Sequence, residues 1–296
     1  MPHLEKLYLK GMPFRKDSFS IIAYSISTRD ALVELKLNTY FTELDTILDL
    51  NGAESCTSLK YISTKTREDD EVEVAPYLST MLRYNCGLET LELVGIEFTD
   101  YELGIIAEGL SGYPLLKKLE MSNCHLHTSA SSMKITALQQ HKSLTSLRIA
   151  RCRLDCNPLQ ECIFNLVHLQ ELCLDENHIK DDGAVALSNC LATVKELDML
   201  SLKDNLLTTR SVIALVGALL RHTTNVLLYL GYVEVNENEA HDVFRALEVD
   251  GAYDRVQIVY YADGIPQLIK VLRANTYRIK EIVFERDVMA NHPHEL

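Results

Sequence analysis

A leucine rhythm that returns every 28 residues or so constrains this chain more than any other feature. It is clearest between Leu169 and Leu191, where Leu169, Leu172 and Leu174 follow an L-x-x-L-x-L pattern. Asn177 comes three residues after the last of them, then Ile179, then a run with Gly183, Leu187 and Leu191 four residues apart. Alternating leucines predict a short strand with one buried face. The four-residue spacing predicts a helix. Asn177 falls where the chain must turn, and its side-chain amide can bond backbone groups that the turn leaves unpaired. One such unit cannot bury its own apolar face and needs copies of itself on either side.

The copies are present. Aligned on the first leucine, units start at Leu4, Leu32, Leu59, Leu88, Leu116, Leu144, Leu169, Leu197, Asn225, Tyr253 and Ile279. The spacings between these 11 starts run from 25 to 29 residues. The second and third strand positions are apolar in nearly every unit, for example Leu7 and Leu9, Leu147 and Ile149, and Val256 and Ile258. Thr64 is the exception in unit three. The ninth position is Cys124, Cys152, Asn177 and Asn205 in the four central units. This pattern resembles the leucine-rich repeats of the ribonuclease-inhibitor-like subfamily, which includes the repeat regions of NLR-type immune sensors and of Ran GTPase activators. The resemblance covers essentially the whole chain. It implies an α/β fold, a right-handed solenoid or horseshoe of about 11 repeats with a parallel inner sheet and outer helices. With no linker interrupting the pattern, residues 1–296 read as a single domain. Strands about 4.8 Å apart would make an inner sheet roughly 50 Å long, enough to hold another folded protein.

Charge narrows the partners. The formal net charge is −13. Nucleic acid and anionic membrane both need a basic footprint, so neither is expected as a partner. A basic protein would be steered towards the chain. The densest acidic run, Glu68, Asp69, Asp70, Glu71 and Glu73, reads as a solvated loop. The longest apolar run, Val212 to Leu220, is nine residues, against the ~20 of a membrane helix. No signal peptide or Asn-x-Ser/Thr sequon is present, and Cys124 and Cys152 fall at core-facing turn positions. These features point to reduced thiols in a cytoplasmic or nuclear compartment, with the cytoplasm the expected location.

The chain reads as capped at neither end. No polar segment precedes Leu4, and RDVMANHPHEL carries no obvious capping helix. A solenoid normally protects its terminal strands. The favoured expectation is a piece of a longer protein; the alternatives are ends covered by a partner or by a second copy in an oligomer, or Met1–His3 sufficing at the first strand. Pro158, in the shortest unit, predicts a non-helical or 3₁₀ crossover there.

Residues between the strand leucines stand on the concave face. They include Tyr8, Lys36, Tyr61, Arg148, Glu171, Tyr229 and Arg255. Arg148, Arg151 and Arg153 form a basic knot in unit six. Glu171, Asp175, Glu176, Asp198 and Asp204 form an acidic stretch in units seven and eight, followed by an aromatic group of Leu227, Tyr229, Tyr232 and Tyr260. Tyrosine on an open sheet is a good anchor, apolar with a polar tip. The residues expected to touch a partner are therefore Tyr8, Lys36, Tyr61, Arg148, Arg151, Glu171, Asp175, Glu176, Tyr229, Tyr232, Arg255 and Tyr260. Tyrosine is also a favoured strand residue, so the same positions fit plain strand formation.

No phosphate-binding loop, dinucleotide fingerprint, His-Glu-x-x-His or nucleophile elbow occurs. Cys152, Cys156 and Cys162 with His125 and His127 match no zinc-finger spacing. Cys173 is expected exposed on the concave strand, its thiol quieted by Asp175 and Glu176. No catalytic residue, metal ligand or cofactor is assigned. The leading expectation is a non-catalytic interaction module for a protein or peptide ligand, with the charge favouring a basic one. The alternatives are a Ran-type GTPase activator, with Arg148 and Arg151 as positional candidates only, and a scaffold assembling through its uncovered ends.

Overall fold

The computed structural model describes residues 4–10, 32–38, 61–65, 87–96, 98, 101, 103–104, 106, 115–124, 126, 142–154, 165–219, 226–231, 233, 256–261 and 282–285. It is a mixed α/β structure built on one parallel sheet. Eleven strands lie side by side in the order of the chain. They are β1 (Lys6–Lys10), β2 (Glu34–Asn38), β3 (Tyr61–Lys65), β4 (Thr90–Val94), β5 (Lys118–Ser122) and β6 (Ser146–Ala150). They continue as β7 (Glu171–Cys173), β8 (Met199–Ser201), β9 (Val226–Gly231), β10 (Val256–Tyr261) and β11 (Ile282–Glu285). Two helices, α1 (Asp181–Leu191) and α2 (Thr209–Leu219), follow β7 and β8 and pack against each other. Tyr101, Leu103, Gly104 and Ile106 are also helical.

The leucine columns set the register. Leu7 pairs with Leu35, Leu35 with Ile62, and the series continues through Leu91, Leu119, Leu147, Leu172 and Leu200 to Leu228. Their side chains make the core: Leu91, Leu119, Leu172, Leu200 and Leu228 are fully buried, as are Leu187, Leu191, Leu215 and Leu219 on the helices. In β4 and β5 the burial alternates with a period of two. One face of the sheet thus carries the core and the other stays open, as the alternation requires.

The turns after β5, β6, β7 and β8 are stitched to their neighbours. Asn177 is buried, and its Oδ1 accepts from the backbone N–H of Cys152 and Leu154 at 3.0 and 3.1 Å. Its Nδ2 donates to the carbonyls of Ile149, Leu174 and Asp175 at 2.7, 2.9 and 3.1 Å. Asn205 repeats this one unit on, accepting from Ile179 and donating to Leu174, Leu202 and Lys203. Cysteine does less at the same position. Cys124 Sγ donates to Leu93 O at 3.5 Å, and Cys152 Sγ to Met121 O at 3.4 Å. The residue one place earlier turns left-handed in five successive units: Gly95, Asn123, Arg151, Glu176 and Asp204, with φ of 54–70°.

Unit ten departs from the sequence alignment. Val256 was expected at the middle strand position and Ile258 at the last. Ile258 instead pairs with Leu228 and Ile282, and Val256 pairs with Val226. The register is two residues from that expected. An alternating strand keeps the same face inward after a two-residue slip, so the pattern could not separate the two registers. A bulge between Val259 and Tyr260 then puts Tyr260 opposite Gly231. Gly231 has φ of 66°, and a Cβ there would stand 3.0 Å from Asp204 N, so any other residue would be strained and crowded.

Candidate functional site

The open face is a board of side chains about 4.8 Å apart across the strands. Its first half neutralises itself. Glu34 on β2 receives Lys6 at 2.9 Å and Lys36 at 3.2 Å. The Tyr8 hydroxyl, then Lys6, hold the Glu34 carboxyl down at about 2. Lys36 Nζ stands 5.2 Å over the Tyr8 ring, leaving that ring half exposed. Farther along, Lys118 bridges Glu92 at 3.0 Å and Glu120 at 3.5 Å. Arg148 Nε lies 3.6 Å from Glu120.

The second half of the face is different. In β7 and β8 the positions beside Arg148 carry small residues, Cys173 and Ser201, and both are buried. Cys173 was expected exposed. Arg148 reaches across it, with Nη1 donating to Sγ at 3.0 Å. Burial pushes the Cys173 thiol up to about 12, and Asp175 adds to the effect. The thiol is quiet as expected, chiefly because it is buried. Ser201 is bound from the side: its Oγ donates to Asp175 Oδ1 at 2.5 Å, and Lys203 N donates to the same oxygen at 3.0 Å. Asp175, expected in a partner contact, is therefore part of the join between two units. Next to this low ground stand Met199, Leu227 and Tyr229, all half-buried. Met199 pairs with Leu227 and Ser201 with Tyr229. Lys203 Nζ lies 4.6 Å over the Tyr229 ring, within reach of a cation–π contact.

The arginines of the basic knot sit on a strand and on the turn that follows it. Arg148 belongs to the open face. Arg151 lies in the following turn, where its Nε donates to Glu176 Oε2 at 2.7 Å. Arg151, Arg153 and Glu176 are all left-handed at φ of 54–55°. Glu171, fully on the open face, accepts from Ser146 Oγ at 3.0 Å. Tyr61 opens β3 and pairs with Glu34 and Thr90. Tyr232 and Arg255 lie outside the described residues, as do Pro158, the acidic run 68–73, and Cys156, Cys162, His125 and His127 of the zinc consideration. Gln257, not Arg255, is the register partner of Leu227, and Val259 that of Tyr229. Tyr260 is the register partner of Gly231 and Phe284, past the bulge, and Val259 takes the place opposite Tyr229.

The assembly that does form is Met199, Leu227 and Tyr229 over buried Cys173 and Ser201, with Lys203 stacked on the tyrosine. Lys203 went unnoticed in the sequence because it follows the strand by two residues and reaches into the next unit. No group of His, Cys, Asp and Glu able to hold a metal ion occurs among the described residues. None of the described helices is long and apolar enough to cross a membrane. The chain matches none of the protein-family models, and no curated protein matches its sequence.

Proposed function

We infer that this chain is a leucine-rich-repeat solenoid, curved like a horseshoe, whose concave face is a non-catalytic binding surface for a protein or peptide. The observation that carries this reading is the unbroken in-order parallel sheet, buried on its leucine face and open on the other. Such a surface offers many separate side chains at fixed spacing, with no convergent reactive group among the described residues. A GTPase-activating role would ask for an arginine free to enter another protein's site. Arg148 and Arg151 are each already engaged with a neighbouring unit, which favours the binding reading. Among the described residues four cysteines are buried and free, which fits a cytoplasmic setting, where thiols stay reduced. A regulatory repeat region of a larger NLR-like protein is the setting this fold suggests by analogy.

The test is site-specific photocrosslinking in cytosolic extract. A benzoylphenylalanine replaces Tyr229 in one variant and Asn189, exposed on α1, in another. The expected outcome is a discrete adduct from position 229 that excess unlabelled protein competes away, with none from position 189. Adducts from position 189 alone would move binding to the helical side and overturn the reading.

A further inference from the structure

The two halves of the open face treat charge differently. Through β6, carboxylates and cations meet each other across the strands, as in Glu34 with Lys6 and Glu120 with Arg148. At β8 this stops. Met199, Leu227 and Tyr229 make an apolar step, half-buried and raised beside the buried Cys173 and Ser201. Two exposed carboxylates flank it. Glu171 is the register partner of Met199, and Asp198 immediately precedes Met199 in the chain. Asp198 makes no side-chain hydrogen bond or ion pair among the described residues, whereas its backbone groups are both used, donating to Gln170 O and accepting from Leu227 N. Among the described residues the cation beside the step is Lys203, and it lies over the Tyr229 ring.

We propose that this step binds an extended peptide segment in which a bulky apolar residue is flanked by lysine or arginine, the apolar side chain lying on Met199, Leu227 and Tyr229 and the cations facing Asp198 and Glu171. The proposal rests on the concave-face reading above and names the chemistry of its ligand. Charge complementarity selects the occupant. An acidic segment would set its carboxylates against Asp198 and Glu171. A purely basic segment would leave the apolar step wet, and a purely apolar one would leave Asp198 without a partner. A second copy of this chain is a poor fit, since each copy brings a net charge of −13. That same charge draws a basic segment in from a distance.

The experiment uses the full chain and three fluorescein-labelled nine-residue peptides with the same uncharged flanks. Their centres are arginine–phenylalanine–arginine, glutamate–phenylalanine–glutamate and arginine–serine–arginine. Anisotropy titrations are run at low and high salt, and the variants are first matched to the wild type by circular dichroism. The first peptide is expected to bind about ten-fold or more tightly than the other two. Tyr229→Ser and Leu227→Ser are each expected to lose about ten-fold. Asp198→Asn is expected to lose a few-fold and to flatten the salt dependence. Equal binding by the wild type and Asp198→Asn, or preference for the glutamate peptide that Tyr229→Ser abolishes, overturns the charge assignment while leaving the concave-face reading intact. No binding by any peptide, together with a discrete adduct from position 229 in extract, also overturns this proposal alone. No binding and no adduct overturn both.

Discussion

Asn177 shows how one side chain can hold two units together. Five backbone groups converge on its amide, drawn from both sides of the join. Removing it leaves several of them buried without partners, each worth about 1–3 kcal/mol. Asn177→Ala is expected to lose about 3 kcal/mol or more in urea unfolding. Asn205→Ala should lose less, because Asn205 is only half-buried and water can replace part of its network. Equal losses would show that burial does not set the difference. Glu176 tests the backbone one place earlier. Glu176→Gly and Glu176→Ala both lose the Arg151 ion pair. Only glycine relieves the left-handed φ of 54°, so the glycine variant is expected to be more stable by about 1 kcal/mol. An alanine variant of equal stability would mean that the turn stores no strain.

At the scale of elements, a helix of one unit is capped by the previous one. α1 begins after Lys180, which offers no side-chain cap, and carries Asp181 and Asp182 in its first turn. Asp181 serves α2 as well. Its carboxylate accepts Thr208 N at 2.9 Å, Thr208 Oγ1 at 2.6 Å, and Ser211 Oγ. Burial works against the charge, but the hydrogen bonds from Ser211 and Thr208 outweigh it and hold the carboxyl below its ordinary value of 3.8. A carboxyl lowered on folding adds stability above its unfolded value and loses it as the pH falls through the folded one. Asp181→Ala is therefore expected to cost about 1 kcal/mol near neutral pH, typical of a lost cap. The gap to the wild type should shrink below about pH 4. A gap independent of pH would show that packing, and not the charged cap, carries the effect. The helix period was legible in the sequence. That Asp181 reaches Thr208, 27 residues away, was not, because capping rules read one helix at a time.

On the scale of the whole molecule, contacts run between neighbours in the sheet, strand to next strand and helix to next helix. Stability in such a chain is nearly a sum of unit and interface contributions. Leu200 is fully buried in β8. Leu200→Ala is expected to cost about 2–5 kcal/mol. In hydrogen exchange the loss should raise rates in β7–β9, α1 and α2 and leave β1–β4 near wild type. A uniform rise along the chain would show one cooperative unit in place of a series.

The sequence by itself determined the order of the strands, their buried leucine face and the role of the turn asparagines. Those features follow from local periodicity and from one kind of side chain recurring at one position. Tertiary structure alone decided the rest. A two-residue slip leaves the alternation of β10 unchanged, so only pairing with Leu228 and Ile282 could place Ile258, and with it Tyr260. Cys173 occupies an outward position in the pattern and is nonetheless buried, because exposure depends on the size of its neighbours across the sheet, and Arg148 is long enough to cover it. The same distance between strands hid the pairing of Arg151 with Glu176 and the seat of Lys203 on Tyr229. Each of these contacts joins residues about one repeat apart, which touch only when the units are stacked.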